Sequence, residues 1–254
     1  MLNKFEKNYE VTYRDTDARG ECFFTSYMNF MADCGLSQEE KLGFSLPEMV
    51  KNNHTWMLYD YDVIVYKYVK YKEKVRVITY AKSLNKFYAL RVFEMYNEDN
   101  ELISEGSTLA LLIDTIKKRP CRIPNEYYKA YGVEKENCGQ GKRDLEVKNI
   151  QRLDYEKKVE VRYTDIDMNW HVGNVKYIEW VLETIPLYII KNYRTHQIKI
   201  KYKKEVVYGT NVSIQTQINC INEESNEIST IHKLVNDQYE ELALIETYWN
   251  KANL

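Results

Sequence analysis

The sequence predicts an α+β protein built from two similar halves, each a long helix against an antiparallel sheet. Three observations lead there. First, "VTYRDTDARGECFFTSYMNFM" from Val11 returns in altered form as "VRYTDIDMNWHVGNVKYIEWV" from Val161, an offset of 161 − 11 = 150. At that offset Tyr13 meets Tyr163, Asp15 meets Asp165, Asp17 meets Asp167, Tyr27 meets Tyr177 and Phe30 meets Trp180. Second, each copy runs into an apolar stretch of helical period. Third, each helix is followed by about four β-type stretches separated by turn residues.

The elements follow in order. After the first copy a helix is expected from about Phe24 to Cys34. A second helical piece should follow it, with capping-box spacing at Ser37/Glu40 and again at Ser45/Glu48, where Pro47 falls in the first turn. Strands are then read in "TWMLYDYDVIVY", "KVRVITYAKSL", "FYALRVFEMY" and "LISEGSTLALLID", with "NEDNE" as the turn between the last two. After the second copy a helix from about Asn174 to Thr184 should stop or kink at Pro186, whose ring clashes with the preceding turn. Strands are next expected in "QIKIKYKKEVV", "NVSIQTQINCI", "EISTIHKLV" and "ELALIETYW", with "NEESNE" as a turn. The domains are accordingly 1–116, a linker at 117–150, and 151–254; the linker carries two of the four prolines, a Gly-Gln-Gly and a short helix near Pro124 to Tyr131.

Composition narrows the function classes. With 44% apolar and 29% charged residues in 254, the chain can bury a sizeable core and is not a disordered protein. A formal charge of −2 offers no general attraction to nucleic acid or anionic membrane. Neither a membrane-length apolar run nor a signal-peptide core is read, so cytoplasmic residence is the expectation. The five cysteines are scattered and odd in number, without a CxxC pair, so packed reduced thiols are expected rather than disulfides or a zinc site. No metal and no cofactor are implied. The 23 tyrosines fall mostly in alternating stretches, where an aromatic ring with a polar tip suits a half-buried sheet face.

One stretch suggests chemistry. In "DMNWHVGN" the residues Asp167, Asn169 and His171 are two apart, so in an extended segment they would share a face. The helix just beyond would present free amides near Val172, Gly173 and Asn174, together with a positive dipole end. Polar face and helix end could then polarise one carbonyl between them. The structural alternative is that Asp167 and Asn169 merely cap that helix. His54, His196 and His232 have no such company, and surface or packing roles are expected for them.

The pattern Y-x-D-x-D, a short turn, a tyrosine-bearing helix and a meander resembles the hotdog fold. Two tandem copies, with "DMNWHVGNVKYIEW" in the second and "YKKEV" after it, look like the acyl-ACP thioesterases of plants and bacteria. The resemblance covers nearly the whole chain. It implies two tandem hotdog domains, each a long helix wrapped by an antiparallel sheet. It also implies hydrolysis of acyl carrier protein thioesters, with acyl carrier protein as partner; a homodimer is compatible with it. Carried over position by position, the family's functional residues fall on Asp167, Asn169, His171 and Glu205. Glu205 would then be the general base, Asn169 and His171 would position carbonyl or water, and Asp167 would orient its neighbours. Where many family members have a cysteine after that glutamate, this chain has Val206, which cannot be a nucleophile; Trp170 and Gly173 also depart from the motif, whereas Asn174 is kept.

The first copy serves as an internal control. Asn169 faces Arg19 and His171 faces Glu21, while Glu205 faces Tyr68 at the offset of 137 that matches Val75 with Val212. The second half is therefore read as catalytic, and the first as core and acyl-chain channel. The run "KIKYKKE" reads first as a solvated strand face and second as a docking surface for an acidic carrier protein. Four alternatives stay open: an acyl-CoA thioesterase, a hydratase or dehydratase of the same fold, a non-catalytic acyl-binding protein, and a tandem fold kept only for assembly.

Overall fold

The computed structural model describes residues 2–134, 145–222 and 226–252, in two compact units, Met1–Asp144 and Leu145–Leu254. The first unit contains β1 (Phe5–Glu10), α1 (Phe24–Lys41), α2 (Leu46–Lys51), β2 (His54–Val65), β3 (Lys74–Leu84), β4 (Tyr88–Asn97), β5 (Leu102–Asp114), β6 (Arg119–Pro120) and α3 (Asn125–Tyr131). The second contains β7 (Tyr155–Glu160), α4 (Lys176–Leu182), α5 (Leu187–Asn192), β8 (Tyr193–Tyr202), β9 (Asn211–Asn222), β10 (Glu227–Asn236) and β11 (Glu241–Lys251). Within the first unit the strands run β1-β3-β4-β5-β2, with β6 on β5; within the second they run β7-β9-β10-β11-β8. Every pairing in these two series is antiparallel, and the two orders are the same topology. Each unit is a hotdog-type α+β domain.

In the first unit α1 lies along the sheet because its apolar face meets the inward side chains of alternating strands. Met28, Met31 and Cys34 are buried, as are Val77, Phe93 and Met95 opposite them. Close approach needs a small residue at the contact. A Cβ on Gly106 of β5 would come within 2.8 Å of Met31 Sδ, whereas one on Gly35 of α1 would meet the Phe93 ring at an ordinary 3.5 Å. The helix is longer than the sequence reading, which broke it after Cys34. Ser37 sits inside α1 and accepts a hydrogen bond from Lys7 Nζ at 3.0 Å, so its spacing to Glu40 is not a cap. The second spacing does mark a helix start: α2 begins after Ser45 with Pro47 in its first turn, although the Ser45 side chain makes no capping bond.

A buried polar knot fastens these pieces. Arg91 of β4 donates to Glu39 and Gln38 of α1, and Tyr131 of α3 also donates to Glu39. Arg91 reaches Thr79 Oγ1 as well, at 3.2 Å. Tyr127, Tyr128 and Tyr131 of α3 pack in one cluster with Met49, Leu84 and Leu112. Part of the stretch read as linker from 117 thus adds a strand and a helix to the first unit; its Gly-Gln-Gly lies outside the described residues.

In the second unit the long helix expected from Asn174 to Thr184 is shorter: α4 is 7 residues and ends at Leu182, and Pro186 caps α5 after it. One strand reading needs adjustment. The run beginning at Gln197 was expected to stay extended to Val207, but β8 starts at Tyr193 and ends at Tyr202. The ladder breaks there because the amides of Lys203 and Lys204 both turn to Leu242 O, at 2.8 and 3.2 Å. The middle of the expected turn "NEESNE" lies outside the described residues.

Candidate active site

The stretch from Asp167 to His171 is a hydrogen-bonded turn, not an extended strand. Its ends close when Asp167 N–H donates to His171 O at 2.8 Å and Trp170 N–H to Asp167 O at 3.1 Å. The Asp167 carboxylate accepts Asn169 N–H at 2.8 Å, which is the local turn that aspartate favours. Trp170 takes φ +64°, the left-handed region, to finish the reversal. Polar and apolar residues alternate here because the turn projects them outward in sequence, so the alternation imitated a strand.

The first unit contains the same loop with the same closing bonds, plus one from Glu21 N–H to Asp17 Oδ1 at 3.2 Å. Asp17 N–H donates to Glu21 O, Gly20 N–H to Asp17 O and Arg19 N–H to Asp17 Oδ1, at 2.8, 2.9 and 2.8 Å. Gly20, with φ +73°, occupies the place of Trp170. Asp15 and Asp165 cap the preceding turns alike, each accepting the amide three residues upstream. Burial alone would raise the Asp165 carboxyl, but hydrogen bonds from the Arg162 side chain and amide hold it below the usual range. Asp167 is therefore part of a scaffold common to both units. What differs is the chemistry mounted on it.

In the second unit His171 Nε2 lies 3.3 Å from Glu205 Oε2. The loop 203–207 brings Glu205 there, anchored when buried Val206 accepts Val172 N–H at 2.8 Å. Glu205 therefore projects from a loop beyond β8, not from a sheet face. The pair is closer than a one-water bridge, and the side chains are 36% and 55% exposed for His171 and Glu205. In the first unit the corresponding positions hold Arg19, Glu21 and Tyr68, and Arg19 Nε pairs with Glu21 Oε2 at 3.3 Å.

Of the three expected amide donors, Val172 and Gly173 are already engaged, whereas the Asn174 amide donates to none of the described residues. Val172 N–H is bonded to Val206 O, and Gly173 N–H to Asp165 O at 2.9 Å. Both serve the scaffold, as Cys22 and Phe23 do in the first unit at 2.8 Å each. Helix α4 begins only at Lys176, so neither amide is a free helix end. Asn174 is exposed, and its carbonyl accepts the Tyr202 hydroxyl at 3.0 Å. The Asn169 side chain is exposed, two residues before His171 in the turn. At the position of Val172 the first unit has Cys22, and burial pushes its thiol up to about 12, so no thiolate forms there.

Comparison with known proteins agrees with the doubled fold. The acyl-ACP thioesterase N-terminal domain matches residues 2–131, and the acyl-ACP thioesterase C-terminal domain matches residues 148–251. The chain belongs to the acyl-ACP thioesterase family. Among relatives of this acyl-ACP thioesterase family member, a chloroplastic palmitoyl-acyl carrier protein thioesterase of Arabidopsis thaliana is 25% identical over 213 residues. That match covers 79% of this chain, which spans about half (52%) of that relative's length. A solved structure from Lactobacillus plantarum superposes with a TM-score of 0.93 at 20% identity, covering 100% of this chain and 98% of its own. The 12:0-ACP thioesterase from Umbellularia californica superposes with 0.85 at 21% identity, covering 98% and 94%.

Among the described residues no three His, Cys, Asp or Glu side chains are grouped so as to hold a metal ion, and no helix is long and apolar enough to cross a membrane. Sequence reasoning missed two residues of this region. Trp170 was noted as a departure but not as the left-handed residue of the turn; its facing Gly20 in the repeat was the available signal. Tyr177 was noted only as half of a repeated pair.

Proposed function

We propose that this protein hydrolyses the thioester of an acyl group carried on acyl carrier protein, releasing free fatty acid and the carrier thiol. Family membership supports the substrate class. The observation that carries the reaction is the His171–Glu205 pair at 3.3 Å, present in one unit and replaced by Glu21 and Tyr68 in the other. In this reading Glu205 takes a proton from water as the water oxygen attacks the thioester carbonyl carbon. Asn169 and His171 hold the carbonyl oxygen as it gains charge. Collapse of the tetrahedral intermediate breaks the C–S bond, and the proton passes to the departing sulfur. A thiol of pKa about 8.5 is a good leaving group and needs little acid assistance. Asp167 acts at a distance, by fixing the turn that carries Asn169 and His171.

The same chemistry would serve acyl-CoA, and a non-catalytic acyl-binding protein would bind either without turnover. A panel of matched acyl-ACP and acyl-CoA substrates, with free fatty acid quantified, separates the three. Higher kcat/KM on acyl-ACP supports the proposal. Equal or higher kcat/KM on acyl-CoA removes the carrier protein from it, and binding without release of acid removes the hydrolysis.

A further inference from the structure

Tyr27 and Tyr177 stand at matching places in the repeat, early in α1 and α4. In the first unit the Tyr27 hydroxyl is fully engaged. It donates to Lys67 O at 3.0 Å and accepts Val69 N–H at 2.8 Å. Those two backbone groups flank Tyr68, the residue standing where the second unit has Glu205. The tyrosine therefore clamps the segment that, in the other copy, carries the general base.

In the second unit the corresponding groups are Lys204 O and Val206 N–H, and Tyr177 bonds to neither. Among the described residues its hydroxyl has no hydrogen-bond partner, although the side chain is only 3% exposed. The ring is held firmly, edge-on to Tyr202 at 5.3 Å and tilted against Trp180 at 5.7 Å. Tyr202 is itself tied to Asn174 O, so the neighbouring phenol is not the free one. Burial, then the charges of Glu205 and Asp167, raise the Tyr177 phenol well above its ordinary range, so it remains a proton donor throughout neutral pH. The exposed, loop-borne Glu205 side chain is free to turn toward this hydroxyl, and its charge already acts on the phenol.

We propose that Tyr177 is a positioning residue for the hydrolytic site: its phenol O–H holds the Glu205 carboxylate with its other oxygen free for the attacking water. The inference rests on the proposed hydrolysis at Glu205. His171 faces this carboxylate from the turn, Asp167 and Tyr202 lie about the Tyr177 phenol, and Lys203 and Lys204 flank Glu205 in the chain. The two lysines are engaged with Glu241 and Glu240, at 3.9 and 2.5 Å. A phenol donating to the carboxylate favours its charged form. In Tyr177→Phe the acid limb of kcat/KM should therefore move upward by about 0.5–1 pH unit, with kcat down about 10-fold and KM little changed. Site-specific 3-fluorotyrosine at 177 keeps the shape and is a stronger donor, so it should move the limb downward even if the Phe variant folds poorly. Tyr27→Phe should lower Tm and leave the limb in place. An unmoved limb in both Tyr177 variants, with His171→Ala inactive, overturns this inference alone. Failure of the wild-type protein to hydrolyse any acyl thioester overturns both it and the proposed function.

Discussion

Trp170 holds a backbone conformation that costs a bulky L-residue of order 1–3 kcal/mol, at φ +64° and with 76% of its surface exposed. Gly20 meets the same demand in the first unit without strain. Trp170→Gly should therefore stabilise the second unit by about 0.5–1 kcal/mol, since the relief exceeds glycine's own entropic cost. Urea denaturation measures it, and a loss of stability would show that the tryptophan ring contributes packing that outweighs the strain. The comparison of the two loops also separates scaffold from chemistry. Glu21→Gln should leave most of the hydrolytic rate intact, whereas His171→Ala should lose on the order of 10²-fold. Comparable losses in both, with both variants folded by circular dichroism, would place the chemistry in the wrong unit. That His171 and Glu205 would come together was legible because a spaced motif and a repeat pointed to them. Their setting was not, because side chains thrown outward by a tight turn alternate just as those of a strand do. Tyr177 was hidden for another reason: the repeat preserves the residue and changes only what it bonds to.

At the scale of elements the strands were the readable part. β3 coincides with a run of alternating burial, since a half-buried pleated face imposes a period of two on the sequence, and β5 spans the run read for it although adjacent residues are buried there. The helix ends were less readable, because Ser37 resembles a cap only until tertiary contact with Lys7 gives it other work. Two buried polar clusters tie the elements together, and each makes a prediction. Arg91→Met would leave Glu39 as an uncompensated buried carboxylate beneath α1, β4 and α3. It should cost about 3–5 kcal/mol, and Glu39→Gln added to it should restore part of the loss. If the single variant is neutral in urea denaturation, the knot is dispensable. In the second unit His232 is fully buried between Thr216 and Thr230, with ring nitrogens 2.8 and 2.6 Å from their hydroxyls. The chain continues from Thr216 to Thr184 at 2.6 Å and from Thr230 to Thr247 at 2.5 Å. Burial pushes the His232 imidazole down from 6.5 to about 3, so the folded state keeps it neutral while the unfolded chain takes up a proton. Stability from this group is fully present above pH 6.5 and falls as pH drops toward 3, at up to about 1.4 kcal/mol per pH unit. His232→Gln should flatten that dependence in denaturation curves taken between pH 7 and 4; an unchanged slope would assign it to other groups.

For the whole molecule, doubling a hotdog unit and arming only one copy divides the work of scaffold and chemistry. The scaffold bonds of the loop recur almost unchanged, from Asp17 to Asp167 and from Cys22 to Val172. The armed copy alone brings an imidazole against a carboxylate. The tandem architecture was legible from the 150-residue offset, because a repeated loop must satisfy the same backbone donors in both copies. The account stands or falls on Glu205. Glu205→Gln keeps the shape of the side chain and removes the base, so the decisive measurement is the steady-state rate of fatty-acid release from one acyl-ACP by wild-type and variant protein. The account predicts that kcat falls by about 10²–10⁴ while KM changes little. Full kcat in a folded Glu205→Gln protein would contradict it.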